Sequence, residues 1–218
     1  MNPNRTVPVT QRTRVRRFHK RGFYDRETIL TILDAGFLCH VGFLHDGQPF
    51  VLPTLYWHDS ENLYFHGSTA SRMVKAAAAQ TICVNITHLD ALVLTRSAFH
   101  HSANYRSATI IGKGRLISDP EVCAMQLRLM MERLFPRRWD TLRPVTSKEL
   151  KATRIIAVSL AEASAKIRVG SPDEDSNDLT WPAWGGIVPI RSVVGLPVPD
   201  TITENQRIDE LPCCAVQP

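Results

Sequence analysis

The chain has 218 residues, 44% of them hydrophobic, which is enough for one sizeable core without disulfide or metal support. No stretch approaches the ~18 apolar residues of a membrane helix, and we expect no secretory signal. The net charge of +5 comes from residues 1–22, which carry seven basic and no acidic residues. Residues 23–218 contain 19 of the 26 basic residues and all 21 acidic ones, so the main part of the chain does not have the positive charge of a nucleic-acid-binding protein. Nucleic acid is therefore only a minor alternative partner.

The first 70 residues predict a short helix followed by an antiparallel meander. Asp25 fits the N-cap of a helix over 25–35, and Asp46 with Gly47 fits a two-residue hairpin turn. Pro53 cannot donate to a strand ladder, so its strand is expected to be a sheet edge, or bulged, at that point. The predicted strands are 37–45, 48–57 and 62–66.

The rest of the chain predicts more strands and three helices. The helices are 71–79, one that begins at Asp119 and runs to about residue 135, and a short one that begins with the capping box at 146–149. Residues 88–90 are predicted to form a turn. The predicted strands are 81–87, 91–97, 105–117 and 153–161.

Many strands and few helices favour a mainly β (α+β) fold, an antiparallel and nearly closed barrel with a few flanking helices. We divide the chain into a basic N-terminal arm (1–22), a barrel domain (23–195) and a loosely ordered tail (196–218).

The cysteines and histidines show no metal-ligand spacing. Cys39, Cys83 and Cys123 lie in apolar patterns that predict buried free thiols. The adjacent His100 and His101 would point to opposite faces of a strand, so they are poor chelators. We therefore expect a reduced, cytoplasmic protein without a metal site.

Residues 62–75 predict a phosphate-binding site. An apolar strand runs into a turn at Gly67, the turn carries Ser68 and Ser71, and a helix then opens with Arg72. Free N–H groups, hydroxyls and a guanidinium around one point are the groups that hold a phosphate. The alternative is that Ser71 only caps the helix and Arg72 is solvated. The spacing is neither that of a Walker A loop nor that of a dinucleotide fingerprint.

Three other segments carry groups suited to a ligand. The strand around Pro53 leaves backbone N–H and C=O groups free for a planar ligand. Residues 99–107 gather imidazoles, hydroxyls, an amide, a phenol and a guanidinium, but no GxSxG elbow supports a catalytic triad. Trp181 and Trp184 either stack on an aromatic cofactor or belong to the core.

In this order, the segments resemble the flavin-nucleotide-binding members of the pyridoxamine 5′-phosphate oxidase superfamily, and within it the nitroimidazole-resistance branch. Each motif is weak alone, and their order and spacing over residues ~24–190 carry the resemblance. The motifs are CHVGF at 39–43, QPFVLPT at 48–54, YFHGS at 64–68, SRM at 71–73, NYRS at 104–107 and WGG at 184–186.

The resemblance implies a split β-barrel that forms a homodimer, with FMN, or FAD in its place, in two clefts between the subunits. It implies that the helix start holds the phosphate, that the strand at 51–54 lies along the ring, and that some residues come from the partner chain. The implied cofactor-binding residues are Val51, Leu52, Pro53, Thr54, His66, Gly67, Ser68, Ser71, Arg72, Met73, Asn104, Tyr105, Arg106, Ser107 and Trp184.

The chain departs from true pyridoxamine phosphate oxidases at two points. Met73 stands where they have a phosphate-binding lysine, and their substrate signature has no counterpart here. Lys75 or an arginine of the arm would then supply the missing charge. We therefore predict a flavin-dependent oxidoreductase that acts on an unknown small molecule or electron donor, with His66 or His101 as candidates for proton delivery.

Two alternatives stay open at this point. The first is a flavin-binding module without turnover, because no substrate signature is present. The second is a haem-binding or haem-degrading protein on the same barrel, with His19, His66 or His101 as the axial ligand.

Overall fold

The computed structural model describes residues 6–202, which contain ten strands and four α-helices. The helices are α1 (Arg26–Asp34), α2 (Arg72–Ala79), α3 (Pro120–Leu134) and α4 (Ser147–Ala152). The strands are β1 (Gly22–Phe23), β2 (Leu38–His45), β3 (Gln48–His58), β4 (Asn62–Ser68), β5 (Thr81–Leu94), β6 (Ser102–Lys113), β7 (Arg115–Ile117), β8 (Thr153–Ser159), β9 (Ala163–Arg168) and β10 (Gly186–Pro189).

All strand pairs are antiparallel, and the sheet curls into a half-barrel. The strand order is β1-β9-β6-β5-β2-β3-β4-β8-β7, with β10 paired to β5 outside this path. The predicted fold class, an antiparallel split barrel with a few flanking helices, is confirmed. No helix within residues 6–202 is both long and apolar enough to cross a membrane.

Strand β3 belongs to both halves of the barrel. Residues 48–55 pair with β2, and residues 56–58 pair with β4 instead. Pro53 lies opposite His40 of β2, and on its other side the strand has no partner among the described residues. The sheet edge that the proline predicted is therefore confirmed.

Two apolar clusters fill the structure. The main cluster lies between the curled sheet and helices α1 and α2, and includes Leu33 and Val84. The second lies on the other face of β3 and β4, beneath α3. There, Trp57 stacks on Tyr64 with ring centroids 5.8 Å apart and donates its Nε1–H to Gln126 at 2.8 Å.

The helix caps and the hairpin turn predicted from local sequence are formed in the structure. The Asp25 side chain accepts a hydrogen bond from the N–H of Thr28 at 2.8 Å and caps α1. The capping box between Thr146 and Glu149 is formed at α4. Asp46 and Gly47, between β2 and β3, both have positive φ (50° and 72°), as a type I′ turn requires.

The predicted turn at 88–90 is wrong. Strand β5 continues through it as one strand of 14 residues, with a bulge between Leu89 and Ala91. The polar residues that suggested a turn have tertiary partners instead. His88 Nε2 lies 2.9 Å from the carbonyl of Ile32, and Asp90 pairs with Arg106.

Other expectations are corrected in the same way. The predicted strand 105–117 is divided at Gly114 into β6 and β7, and β1, β9 and β10 were not predicted as strands. Cys39 and Cys123 are buried as expected, but Cys83 is exposed because it lies on the outer face of β5. Cys213 and Cys214 lie outside the described residues.

The described part of the N-terminal arm packs on the barrel. Val7 is buried, and Thr6 forms an isolated bridge with Asp25. Arg12 forms an ion pair with Glu162, which precedes β9. Part of the arm's positive charge is thus engaged with the body.

Gly114 is a steric requirement of the break between β6 and β7. A Cβ at this position would lie 2.4 Å from Ile156 Cγ2 and 2.9 Å from the carbonyl oxygen of Ala77. We therefore expect Gly114→Ala to lower the free energy of unfolding by about 1–3 kcal/mol in urea denaturation. Gly112→Ala is the control, because its Cβ would meet only Val158 Cγ1 at 3.4 Å and should cost less. Equal losses in the two variants would contradict this steric account.

Candidate functional site

The turn between β4 and α2 is fixed by its own hydroxyls. Ser71 donates its N–H to the carbonyl of Ser68 at 2.9 Å and accepts from the N–H of Val74 at 3.4 Å. The Ser68 hydroxyl accepts from the N–H of Ala70 at 3.2 Å. A side chain at Gly67 would lie 2.7 Å from Val74 Cγ2, so glycine is required for the helix to approach the strand.

This turn leaves one cation and two N–H groups available. The N–H groups of Arg72 and Met73 have no hydrogen-bond partner among the described residues, as expected for a first helical turn. The Arg72 guanidinium forms no ion pair or hydrogen bond within residues 6–202, and lies 4.6 Å from the ring centroid of Phe50. The arrangement fits an anion, since the helix dipole and the guanidinium both favour negative charge there.

Packing explains why residue 73 is a methionine and not a lysine. The Met73 side chain is buried in the main core, so this residue offers an anion only its backbone N–H. Lys75 lies two residues further along α2 and is exposed. Arg72 is therefore the first cation of the helix that faces solvent.

The free edge of β3 lies beside this turn, as the contact between Arg72 and Phe50 shows. Val51 has 65% of its surface exposed and Leu52 36%. Their backbone groups on the side away from β2 have no strand partner among the described residues. The structure therefore places the start of α2 beside the strand that contains residues 51–54, with Phe50 as the point of contact. Sequence reasoning did not include Phe50 in the site, although it directly precedes the matched Val51.

His66 is the one residue of the site with an unpaired buried polar atom. Its Nδ1 is buried without a hydrogen-bond partner, and its ring lies 6.2 Å from the Trp57 ring. Burial lowers the pKa of His66 below 6.5, so the imidazole is neutral at pH 7. His66 and Ser68 are two positions apart and share one face of β4, roughly 7 Å apart along the strand.

The second predicted group, at 104–107, is largely engaged within the protein. Arg106 forms a bidentate ion pair with Asp90, with its Nε and Nη2 each within 3.2 Å of the carboxylate, and hydrogen bonding to Asp90 raises the pKa of Arg106. Asn104 is buried and accepts from Arg168. Ser107 donates to the carbonyl of Lys166 at 3.2 Å. Tyr105 has no such partner within residues 6–202 and is partly exposed.

The remaining candidates lie on the surface. His101 Nδ1 lies 2.9 Å from the carbonyl of Ser97. Trp184 is 63% exposed, and its indole lies against Gly186 of β10. His19 is exposed in a short 3-10 turn of the arm.

The two predicted groups lie apart within one chain. Strand pairing connects Val51 through Gly42 of β2 and Cys83 of β5 to Ile111 of β6. Val51 and Ile111 therefore lie at the same level of the sheet. Tyr105 is six positions further along β6, a distance of roughly 20 Å. Trp184 lies near the same distant end, since β10 pairs with the last residues of β5.

The sequence predicted no metal site, but residues 6–202 contain one group of possible metal ligands. His100, Asp175 and Asp178 place their ligand atoms within 4.8 Å of one another. The three groups are only partly buried or exposed, and exposed acidic residues often cluster without an ion, so we assign no site to them.

The chain matches the family model described as pyridoxamine 5′-phosphate oxidase over residues 25–167. It belongs to this family. The resemblance deduced from the sequence is thereby confirmed. Among curated protein sequences, none matches the chain.

Solved structures give further relatives. A flavocytochrome, Anf3, from Azotobacter vinelandii is 43% identical, with a TM-score of 0.85 and 94% of each chain covered. An FAD- and haem-binding protein from Mycobacterium smegmatis is 31% identical, with a TM-score of 0.79, covering 88% of this chain and 93% of that one. A protein described as a 5-nitroimidazole antibiotic resistance protein, from Bacteroides thetaiotaomicron, shares the fold at 17% identity and a TM-score of 0.55, covering 78% and 90%. The flavin cofactor predicted from the sequence agrees with the descriptions of the first two.

Proposed function

We propose that the protein is a flavin-binding redox protein that holds the flavin phosphate at the start of α2. The observation that carries this proposal is the Arg72 guanidinium, which has no ion pair within residues 6–202 and lies beside two unpaired N–H groups. A bound flavin would supply hydride or electron transfer. The chain's own part is to bind the phosphate, and to orient the ring with the free backbone groups of residues 51–54.

The similarity to the mycobacterial protein favours FAD over FMN as the flavin, because that relative is described as binding FAD. The substrate or electron donor is a small molecule that neither the turn at 68–72 nor the edge of β3 defines. Within one chain, His66 is the better placed of the two histidines for a proton transfer, since it lies two positions from Ser68 on β4, whereas His101 lies beyond the distant end of β6.

Arg72→Ala should weaken flavin binding roughly ten- to hundredfold, because it removes a charged hydrogen-bond donor worth about 1.5–3 kcal/mol. The dissociation constant is measured by titrating the flavin-free protein and following flavin fluorescence. Folding should be nearly unaffected, since Arg72 is exposed.

Lys148→Ala is the matched control for this variant, because Lys148 is an exposed cation in the first turn of α4. Its flavin affinity should equal that of the wild type. An unchanged affinity in Arg72→Ala would place the phosphate elsewhere and reject the proposed site.

We further propose that the flavin site is completed in a homodimer. The two predicted groups are separated within one chain, so residues 104–107 and Trp184 would reach a flavin bound at 51–72 from a second copy. The outer face of β2 and β3 supports this, because it exposes several large apolar side chains, as a protein interface does. They are Leu38 (48% exposed), Leu44 (52%), Val51 (65%) and Leu55 (36%).

A charge at the centre of this face should disrupt the dimer. Val51→Asp is expected to give a monomer in sedimentation analysis and to lose flavin on desalting, because a carboxylate would be buried without a partner. Leu129→Asp, on an exposed apolar position of α3 (47% exposed), should stay dimeric. A wild-type protein that is monomeric at micromolar concentration would contradict the proposal.

Haem binding is the second function that a specific observation favours. The imidazole of His66 forms no hydrogen bond within residues 6–202, and burial lowers its pKa, which suits an axial ligand, since only a neutral imidazole coordinates iron. Two relatives that are more than 30% identical support it, since they are described as a flavocytochrome and as an FAD- and haem-binding protein. Haem would supply one-electron chemistry beside the flavin.

Of the three candidate ligands, we propose His66. His66→Ala should abolish the red-shifted Soret band that ligated haemin gives on binding, because the proposed axial imidazole is lost. His101→Ala and His19→Ala should keep the band, since both residues are exposed. Flavin retention and circular dichroism control for the fold of each variant. A Soret band of unchanged position and intensity in folded His66→Ala would reject this assignment.

The cellular location is proposed as cytoplasmic. Cys39, Cys83 and Cys123 are free thiols, which fits a reducing compartment.

A further inference from the structure

A cavity of about 450 Å³ lies between the N-terminal arm and the end of β9. We propose that it binds the phosphates of a nucleotide. This cavity is separate from the site at β4 and α2. Strands β1 and β9 line it, and they lie at the other end of the strand order from β4. Its volume is within the range of small-molecule sites.

The cavity is positively charged. Lys20, Arg21 and Arg168 line it together with one carboxylate, that of Asp173. Within residues 6–202, none of these four groups forms an ion pair. By contrast, four other arginines each contact a carboxylate directly: Arg12, Arg96, Arg106 and Arg133. Three cations against one anion leave two positive charges, which suits the roughly two negative charges of a phosphate group.

Arg168 is held in place by the fold. It is only 8% exposed, and its Nη1 donates to the side-chain oxygen of Asn104. Asn104 in turn donates to the carbonyl of Gly170 at 3.1 Å, and Gly170 has a φ of 147°, which favours glycine. The other guanidinium N–H groups of Arg168 have no partner among the described residues. A fixed, partly unpaired guanidinium is suited to phosphate oxygens.

The arm presents its two cations through a strained turn. Phe18 has a left-handed conformation (φ 55°, ψ 50°), which is uncommon for a bulky side chain. The Arg21 guanidinium lies 4.3 Å from the Phe18 ring centroid, and Arg17 lies 5.1 Å away from it. The residues that follow Phe18 form the 3-10 turn that carries Lys20 and Arg21 to the cavity. Strain of this kind is typical of ligand-binding segments.

The apolar part of the lining suits a nucleoside. Phe23, Ile167 and Val169 line the cavity beside the charged groups, and Val169 is 78% exposed. An aromatic ring and two branched side chains offer a surface on which a planar base can pack. A nucleoside diphosphate therefore combines the charge and the shape that the cavity offers. It is a nucleotide separate from the flavin, because the two phosphates of FAD are bonded to each other and one chain cannot hold them both at α2 and in this cavity.

The test is calorimetric titration of the full chain with ADP, before and after loading with FAD. Saturable ADP binding to the unloaded protein, weakened by added salt, is the expected result. If FAD loading blocks ADP, the ADP was bound at the flavin site and the proposal is overturned. If ADP still binds the FAD-loaded protein, the cavity serves a separate nucleotide. Absence of saturable binding at millimolar ADP would overturn the proposal.

Matched variants locate the binding. The double variant Lys20→Gln/Arg21→Gln should weaken ADP binding roughly tenfold or more, because two charged donors are lost. Arg17→Gln should bind ADP as the wild type does, since Arg17 also stacks on Phe18 but does not line the cavity. Equal affinity in the double variant and in Arg17→Gln would overturn the proposal. Arg72→Ala should lose flavin affinity and keep ADP binding to the unloaded protein, so the two proposals fail separately.

Discussion

The architecture depends on one strand that changes partners. β3 pairs with β2 up to Leu55 and with β4 from Tyr56 onward, so it joins the two halves of the barrel and leaves a free edge between them. Tyr56 fixes the change of partner, because it is fully buried and its hydroxyl donates to the carbonyl of Leu33 at 2.7 Å. Arg133 of α3 donates to the same carbonyl at 2.6 Å, and this ties the second cluster to α1. The candidate site is formed where the sheet opens.

The arginines of the chain divide by what they contact, and this division separates structure from proposed function. Arg133 and Arg106 form ion pairs with carboxylates and hydrogen bonds that hold helices or strands together. Arg72 has no such partner within the described residues, and Arg168 has only Asn104. Because an unpaired guanidinium retains its capacity for two parallel hydrogen bonds, Arg72 and Arg168 are each available to an anionic ligand.

Features carried by contiguous residues were predictable from the sequence, and features that depend on distant partners were not. The hairpin at Asp46, the caps and the turn before Arg72 follow from local chemistry. The continuous β5 could not be deduced, because the polar His88 is satisfied by a carbonyl 56 residues away. In the same way, Arg106 looked available for a ligand, and only the fold shows its pairing with Asp90. The unpaired nitrogen of His66 leaves no mark in the sequence.

We propose that the free edge of β3 and the start of α2 hold a flavin. The most direct measurement is the absorbance spectrum of the purified protein, recorded before and after incubation with FAD and desalting. We expect flavin bands to persist after desalting, with spectral shifts that report a bound ring. A protein that is colourless as purified and retains no added flavin would contradict it, and would leave only the fold and the family assignment standing.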